Sequence, residues 1–267
     1  MKQTLKIGDQ HRIITSDFSG MAQVTNVKTV DTKEQKGVLV EYLVEKYGQS
    51  ADFFIPDGAI LDGQIDSRRV RSGMPVEYMS KDGKDFDWGQ YSEDVEIQKR
   101  IANAFVYSFA TFRKQGRGLY IYSNTKGSGK TLLACCLANE VLKKQDVSVK
   151  FTTIADYVEL ARGNKNEAFK EQMNAIMNAG LLIIDDIGAT KEDNWISDVV
   201  YRLVNRRYED MLPTIYTSNV MIDNLKCDDR IGSRIMETSI VLAMPEFSVR
   251  KKKADERNED FLRRLLE

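Results

Sequence analysis

Histidine is almost missing from this chain: His11 is the only one in 267 residues. Histidine-based metal sites and nucleophile–histidine triads therefore have almost no material. Cysteine is scarce too. Cys135, Cys136 and Cys227 are too few and too badly spaced for a disulfide framework or a zinc site. The adjacent Cys135 and Cys136 fall in an apolar helical segment, where small buried hydrophobes are expected. No apolar run approaches the length of a membrane span, and no signal peptide is visible, so the expected setting is a reduced, cytoplasmic one without membrane contact. Excess charge is also lacking. The net charge of −1 gives no global electrostatic case for nucleic acid, and any such binding must come from a local basic surface.

What is present is ordinary globular material, 42% hydrophobic and 30% charged, in a chain long enough for one α/β domain and a small accessory one. Residues 12–15, 22–30, 38–44 and 52–55 are short β-prone runs separated by turn-like residues. Val38, Val40, Tyr42 and Val44 alternate with other residues, the spacing of a half-buried strand. We expect a small β-rich domain over residues 1–65 and a polar, turn-rich linker or ordered collar over 66–94. An α/β domain is expected over 95–267. It opens on a helix over residues 93–113 with Ile97, Ile101, Phe105, Phe109 and Phe112 on one side. Strands are expected at 118–123, 147–153, 181–187, 214–218 and 240–244, with helices between them, one carrying the stripe Trp195, Ile196, Val199, Val200, Leu203 and Val204. Alternating β and α units argue for a parallel sheet covered on both faces.

Four segments carry chemistry. In the first, the β-type run 119–122 feeds Ser123-Asn124-Thr125-Lys126-Gly127-Ser128-Gly129-Lys130-Thr131 and then the apolar helix that starts at Leu132. A strand, a glycine-rich loop and a helix N-terminus cradle phosphates, because loop N–H groups converge and the helix end carries partial positive charge. Lys130 would reach the β- and γ-phosphates of ATP, and Thr131 would hold Mg²⁺. In the second, Leu181-Leu182-Ile183-Ile184-Asp185-Asp186 is a buried strand that delivers two carboxylates to its C-terminal end, the edge where open α/β sheets bind ligands. Asp185 would act on Mg²⁺ and Asp186 on the attacking water. The β-prone run between Lys130 and Asp185 puts the two on non-adjacent strands, an additional-strand arrangement. In the third, the strand Thr214-Ile215-Tyr216-Thr217-Ser218 ends at Asn219, which could bond the γ-phosphate or the water. The fourth is the pair Arg230 and Arg234, either of them a solvated charged face or a source of an arginine that reaches a neighbour's phosphoryl group.

Taken with Asn205-Arg206-Arg207-Tyr208 and the upstream Ser72-Gly73-Met74-Pro75, these segments resemble the DnaC/DnaI helicase-loader branch of the AAA+ ATPases, a close relative of the IstB transposition helpers. The similarity covers roughly residues 66–267. It implies an AAA+ P-loop ATPase fold behind a small β-rich N-terminal domain. It also implies an ATP- and Mg²⁺-dependent protein that self-associates, engages a hexameric replicative helicase and helps place it on single-stranded DNA. Carried over position by position, residues 124–132 (Asn124, Thr125, Lys126, Gly127, Ser128, Gly129, Lys130, Thr131 and Leu132) form the phosphate loop. Thr131 and Asp185 are the metal residues, Asp186 the water-activating one, Asn219 the first sensor and Arg234 the arginine finger. Arg250 in Ser248-Val249-Arg250 matches the second sensor only loosely.

Three features depart from that pattern. Asn124 replaces the loop's first glycine, and Asp186 stands where most AAA+ proteins have Glu. Residues 1–65 match neither the helical nor the zinc-binding N-terminal domain of the known loader types, which suits a phage or mobile-element loader with its own helicase. Two alternatives stay open: an ATPase helper of a transposase, and a nucleotide-gated adaptor with negligible hydrolysis. For DNA contact the candidates are Tyr157, Arg162, Lys165, Phe169 and Lys170, and the run Arg250-Lys251-Lys252-Lys253, each equally readable as a solvated helix face.

Overall fold

The computed structural model describes residues 6–14, 19–31, 36–44, 49–56, 64–163, 167–188 and 194–266. The first part of the chain forms one sheet from β1 (Gln10–Ile14), β2 (Ser19–Asp31), β3 (Lys36–Val44), β4 (Gln49–Pro56) and β5 (Gln64–Asp66), ordered β4-β3-β2-β1-β5. β1 to β4 pair antiparallel, and β5 adds in parallel beside β1. The long β2 pairs with β1 along one edge and with β3 along the other, and its register with β3 shifts at a bulge between Val24 and Asn26. Val40 and Tyr42, from the alternating set, are fully buried with Ala22 and Val24. The sequence suggested four of these strands and not β5, a three-residue strand too short for a period-two pattern.

Next come two single-turn helices, α1 (Ser67–Val70) and α2 (Val76–Met79), and two 3-10 turns at Gly83–Asp85 and Trp88–Gln90. They form a fixed strap. Asn139 Nδ2 donates to the carbonyls of Tyr78 (3.0 Å) and Lys81 (2.7 Å), and Arg68 donates to those of Leu142 and Gln145. Met74, Phe86 and Tyr91 join the core beneath.

The second sheet is parallel throughout. Its strands are β6 (Gly118–Tyr122), β7 (Val149–Thr153), β8 (Leu181–Asp185), β9 (Thr214–Ser218) and β10 (Ser239–Ala243), in the order β10-β6-β9-β8-β7. β9 stands between β6 and β8, so the additional strand expected from sequence is in place. Between the strands run α5 (Lys130–Lys144), α6 (Ile154–Arg162), α7 (Glu167–Met177), α8 (Asn194–Glu209) and α9 (Asp229–Thr238). α3 (Glu96–Tyr107) and α4 (Phe109–Lys114) precede β6, and α10 (Val249–Leu266) closes the chain.

The sheet separates two apolar layers. On one face α5 is buried nearly all round, with Leu133, Ala134, Cys135, Cys136, Leu137 and Ala138 against Leu119, Ile121, Leu181 and Ile183. Burial raises both thiols, that of Cys136 to about 12, so they sit as small apolar groups. On the other face Val199, Val200, Leu203 and Val204 of α8 pack on Tyr120, Leu182, Ile184 and Tyr216. The helix expected at 93–113 breaks at Ser108, where Phe109 turns in to meet Phe105 with ring centroids 5.5 Å apart. Ile97, expected on the apolar side, is 70% exposed.

Candidate active site

The loop between β6 and α5 owes its shape to two left-handed glycines, Gly127 (φ +78°) and Gly129 (φ +96°). Neither position has room for a side chain: a Cβ on Gly127 would lie 2.8 Å from Arg250 Cβ, and one on Gly129 would lie 3.0 Å from the Tyr91 hydroxyl. That hydroxyl donates to the Ser128 carbonyl (2.6 Å), so the strap before α3 fixes the loop from outside. Lys130 is buried, and its ammonium donates to the carbonyls of Ser123 (3.2 Å) and Thr125 (3.1 Å) and to Ser128 Oγ (3.2 Å). Burial pulls its pKa down, while the charges of Asp186, Glu246 and Asp185 oppose that pull.

β8 delivers the two carboxylates to the same edge. Asp185 accepts hydrogen bonds from Thr131 Oγ1 (2.9 Å) and Thr217 Oγ1 (2.6 Å). Burial raises its pKa, and those two hydroxyls act against the rise. Asp186 takes a left-handed backbone (φ +56°) that is uncommon outside glycine, held by its N–H donating to Thr217 Oγ1 (2.9 Å). The turn points its carboxylate at Asn219, whose Nδ2 donates to Asp186 Oδ1 (2.6 Å). Thr217 thus orders both aspartates at once, a role invisible in sequence because it arises only when β8 and β9 lie side by side.

These groups line one cleft of about 760 Å³, shared by Lys126 to Leu132, Asp185, Asp186, Asn219 and Arg250. Asn124 and Thr125 stand outside its lining. Their polar side chains turn to Glu246, in the link between β10 and α10. Arg234 is also outside. It stacks over Tyr201 (5.0 Å) and Tyr208 (5.4 Å) and donates to the Arg230 carbonyl, while Arg230 pairs with Asp228 at 2.7 Å. Residues that the sequence did not single out are Glu77, Tyr78, Thr217 and Arg257 in the lining of the cleft, and Tyr91 and Glu246, which bond to the phosphate loop. Lys253, the last residue of the run 250–253 read as a candidate DNA contact, lines the cleft together with Arg257.

Two other DNA candidates change meaning. Tyr157 is 1% exposed in the core and cannot stack a base. Arg162 lies over the Trp195 ring at 5.3 Å. Phe169 and Lys170 are exposed, and Lys165 lies outside the described residues.

The donor chemistry fits a magnesium nucleotide. Lys130, Arg250 and the glycine-built turn offer cationic and N–H donors to phosphate, and Thr131 with Asp185 offers only oxygens, the preference of a hard divalent cation. Among the described residues no helix is long and apolar enough to cross a membrane.

Comparison with known proteins points to ATP binding as well. The sequence profile described as "IstB-like ATP binding protein" matches residues 64–257. Over 143 residues the chain is 30% identical to the replicative helicase loader DnaI of Bacillus subtilis (strain 168), covering 49% of this chain and 45% of that protein. Over 121 residues it is 28% identical to the replicative helicase loader DnaC of Escherichia coli (strain K12), covering 44% and 48%. The chain thus matches about half the length of these curated relatives. The crystal structure of DnaI superposes with a TM-score of 0.56 at 27% identity, over 65% of this chain and 95% of that one. The replication initiator DnaA bound to AMPPCP and single-stranded DNA superposes at 0.53 and 20% identity, over 70% and 57%, a likeness of fold.

Proposed function

Because the chain belongs to the family of IstB-like ATP binding proteins, we propose that it is a Mg²⁺-dependent ATPase that loads a hexameric replicative helicase onto single-stranded DNA. The observation that carries the ATPase part is the pairing of a buried Lys130 with two ordered aspartates across one cleft. The loader part rests on the partial likeness to DnaI and DnaC.

In this reading the Lys130 ammonium exchanges its bonds to the Ser123 and Thr125 carbonyls for the β- and γ-phosphate oxygens of ATP. Thr131 and Asp185 are the groups that would hold Mg²⁺, which when bound neutralises charge on the β- and γ-phosphates. Asp186 accepts a proton from the attacking water as its oxygen bonds to the γ-phosphorus, and the bond to the β–γ bridging oxygen breaks to leave ADP and phosphate. Asn219, already bonded to Asp186 at 2.6 Å, fixes the direction of that carboxylate. Arg250 adds a cation from α10. Arg234 faces away from its own cleft, and it serves the cleft of a neighbouring copy in a self-associated ring or spiral. The small β-rich N-terminal domain, residues 1–65, is the partner-binding module and 66–94 the collar that joins it to the ATPase domain, residues 95–267.

The test has two parts. ATP hydrolysis should be measurable, should rise with single-stranded DNA and should vanish in Lys130→Ala. The protein should co-purify with the replicative helicase encoded in the same genome in an ATP-dependent manner. Turnover without helicase capture, combined with capture of a transposase, would move the chain to the transposition-helper role that the IstB-like profile also allows. Nucleotide binding without turnover in any DNA context would leave a nucleotide-gated adaptor.

A further inference from the structure

We propose that Glu246 is a positioning residue, clasping the phosphate loop through Asn124 and Thr125 so that the loop and the basic face of α10 meet the nucleotide as one unit. The proposal rests on the ATP-binding reading above and adds to it a group outside the phosphate loop.

Both carboxylate oxygens are in use. Oε1 accepts from the Asn124 backbone N–H (2.8 Å) and from Asn124 Nδ2 (3.1 Å), and Oε2 accepts from Thr125 Oγ1 (2.7 Å). A planar group bound at both oxygens to two consecutive residues is fixed in orientation as well as in distance. Asn124 is therefore more than a tolerated stand-in for glycine. Its amide supplies a bond that glycine lacks. Thr125 is held at both ends, its hydroxyl by Glu246 and its carbonyl by Lys130 Nζ (3.1 Å).

The other end of the clasp is the root of α10. The Met244 N–H donates to the Tyr122 carbonyl (2.7 Å) and Ser123 Oγ to the Pro245 carbonyl (3.3 Å), just before Glu246. Just after it, the Arg250 N–H donates to the Gly127 carbonyl (3.2 Å). From there Val249, Lys253 and Arg257 recur every fourth residue, and all three line the cleft beside Arg250. The placement of Arg250, Lys253 and Arg257 over the phosphates follows from how this short link is tied to the loop.

Charge alone makes the opposite prediction. A carboxylate close enough to act on Lys130 repels a polyphosphate, so removing it should tighten ATP binding if electrostatics were its only effect. The clasp predicts a loss. The two ideas differ in sign.

The experiment is titration of the full-length protein with MgATP by calorimetry, alongside thermal melts. Glu246→Ala should weaken ATP binding about tenfold, the effect of losing hydrogen bonds to a charged acceptor. Its melting temperature should stay at the wild-type value, because Glu246 is exposed. Glu246→Gln, which drops the charge but keeps an acceptor for Asn124, should bind within about threefold of wild type. Asn124→Ala should weaken binding by about threefold, and the double variant Asn124→Ala/Glu246→Ala should be no weaker than Glu246→Ala alone. Glu246→Ala binding as tightly as wild type or more tightly overturns the clasp, and so does Glu246→Gln failing as badly as the alanine variant. Wild-type protein that takes up no MgATP at all overturns the ATP-binding reading instead, and the two failures cannot be confused.

Discussion

Lys130 and Asp186 line the same cleft and are held by opposite means. Lys130 is buried against neutral oxygens of its own loop, with no carboxylate in ion-pair contact among the described residues. Asp186 is exposed on a left-handed turn and aimed by Asn219. Their substitutions should therefore separate binding from turnover. Lys130→Ala should cost about 2–3 kcal/mol of ATP affinity, the worth of hydrogen bonds to a charged group. Asp186→Asn should leave the dissociation constant near wild type and slow hydrolysis by about 10²–10⁴-fold, the range of a lost general base. Equilibrium titration and steady-state turnover on the same preparations would check both, and normal hydrolysis by Asp186→Asn would remove that carboxylate from its role. Both residues were legible in the sequence because each closes a local pattern, a glycine loop in one case and an apolar strand in the other. Tyr91 was not. Its hydroxyl meets Ser128 across a long stretch of chain, and nothing near position 91 announces it.

At the scale of elements, Arg207 explains how α8, α7 and β9 hold register. It is 1% exposed, and its guanidinium donates to Thr214 Oγ1 and to the carbonyls of Met177, Ala179 and Pro213. Burial lowers its pKa to about 10, still far above neutrality, so it remains a cation solvated by backbone. Arg207→Ala would take the guanidinium donor from the Met177 and Ala179 carbonyls, while that of Pro213 keeps the Leu182 N–H, and should destabilise the fold by about 2–5 kcal/mol, at about 1–3 kcal/mol for each unsatisfied buried acceptor. Chemical denaturation would measure it, and a loss under 1 kcal/mol would show that water replaces the guanidinium. The strap before α3 is locked more weakly by Asp82, which accepts from Arg69 (3.0 Å) and pairs with Lys143 (2.6 Å). Burial would raise the Asp82 pKa, but Lys143 and Arg69 outweigh that and hold it below the usual 3.8. A depressed carboxyl contributes stability above its unfolded pKa and loses it as pH falls through its folded one. Asp82→Asn should therefore cost about 1 kcal/mol at neutral pH, and the gap to wild type should close below the ordinary carboxylate range. Melts from pH 7 downward would show it, and a gap independent of pH would assign the effect to packing.

At the scale of the whole molecule, the cleft is lined by Arg250 and Arg257, whereas Arg234 stands outside its lining. Arg234→Ala should leave nucleotide affinity unchanged and reduce turnover by about 10³-fold or more once the protein assembles. Turnover measured against protein concentration is the check. Full activity in a dilute monomer, or equal loss at every concentration, would contradict a role between copies.

The sequence by itself determined the β–loop–α order, the parallel sheet with its inserted strand and the edge at which lysine, aspartates and asparagine gather. Those follow from short-range chemistry: helix and strand periods, glycine turns, and buried strands that end in polar residues. Only the tertiary structure decided which side of α10 faces the cleft, because Arg250, Lys253 and Arg257, which line it, are the same kind of residue as Lys251 and Lys252, which do not. The same holds for Asn124 with Glu246, Thr217 with the two aspartates and Tyr91 with Ser128. Each pair is far apart along the chain and meets only when separate elements pack together, so no local pattern can encode it.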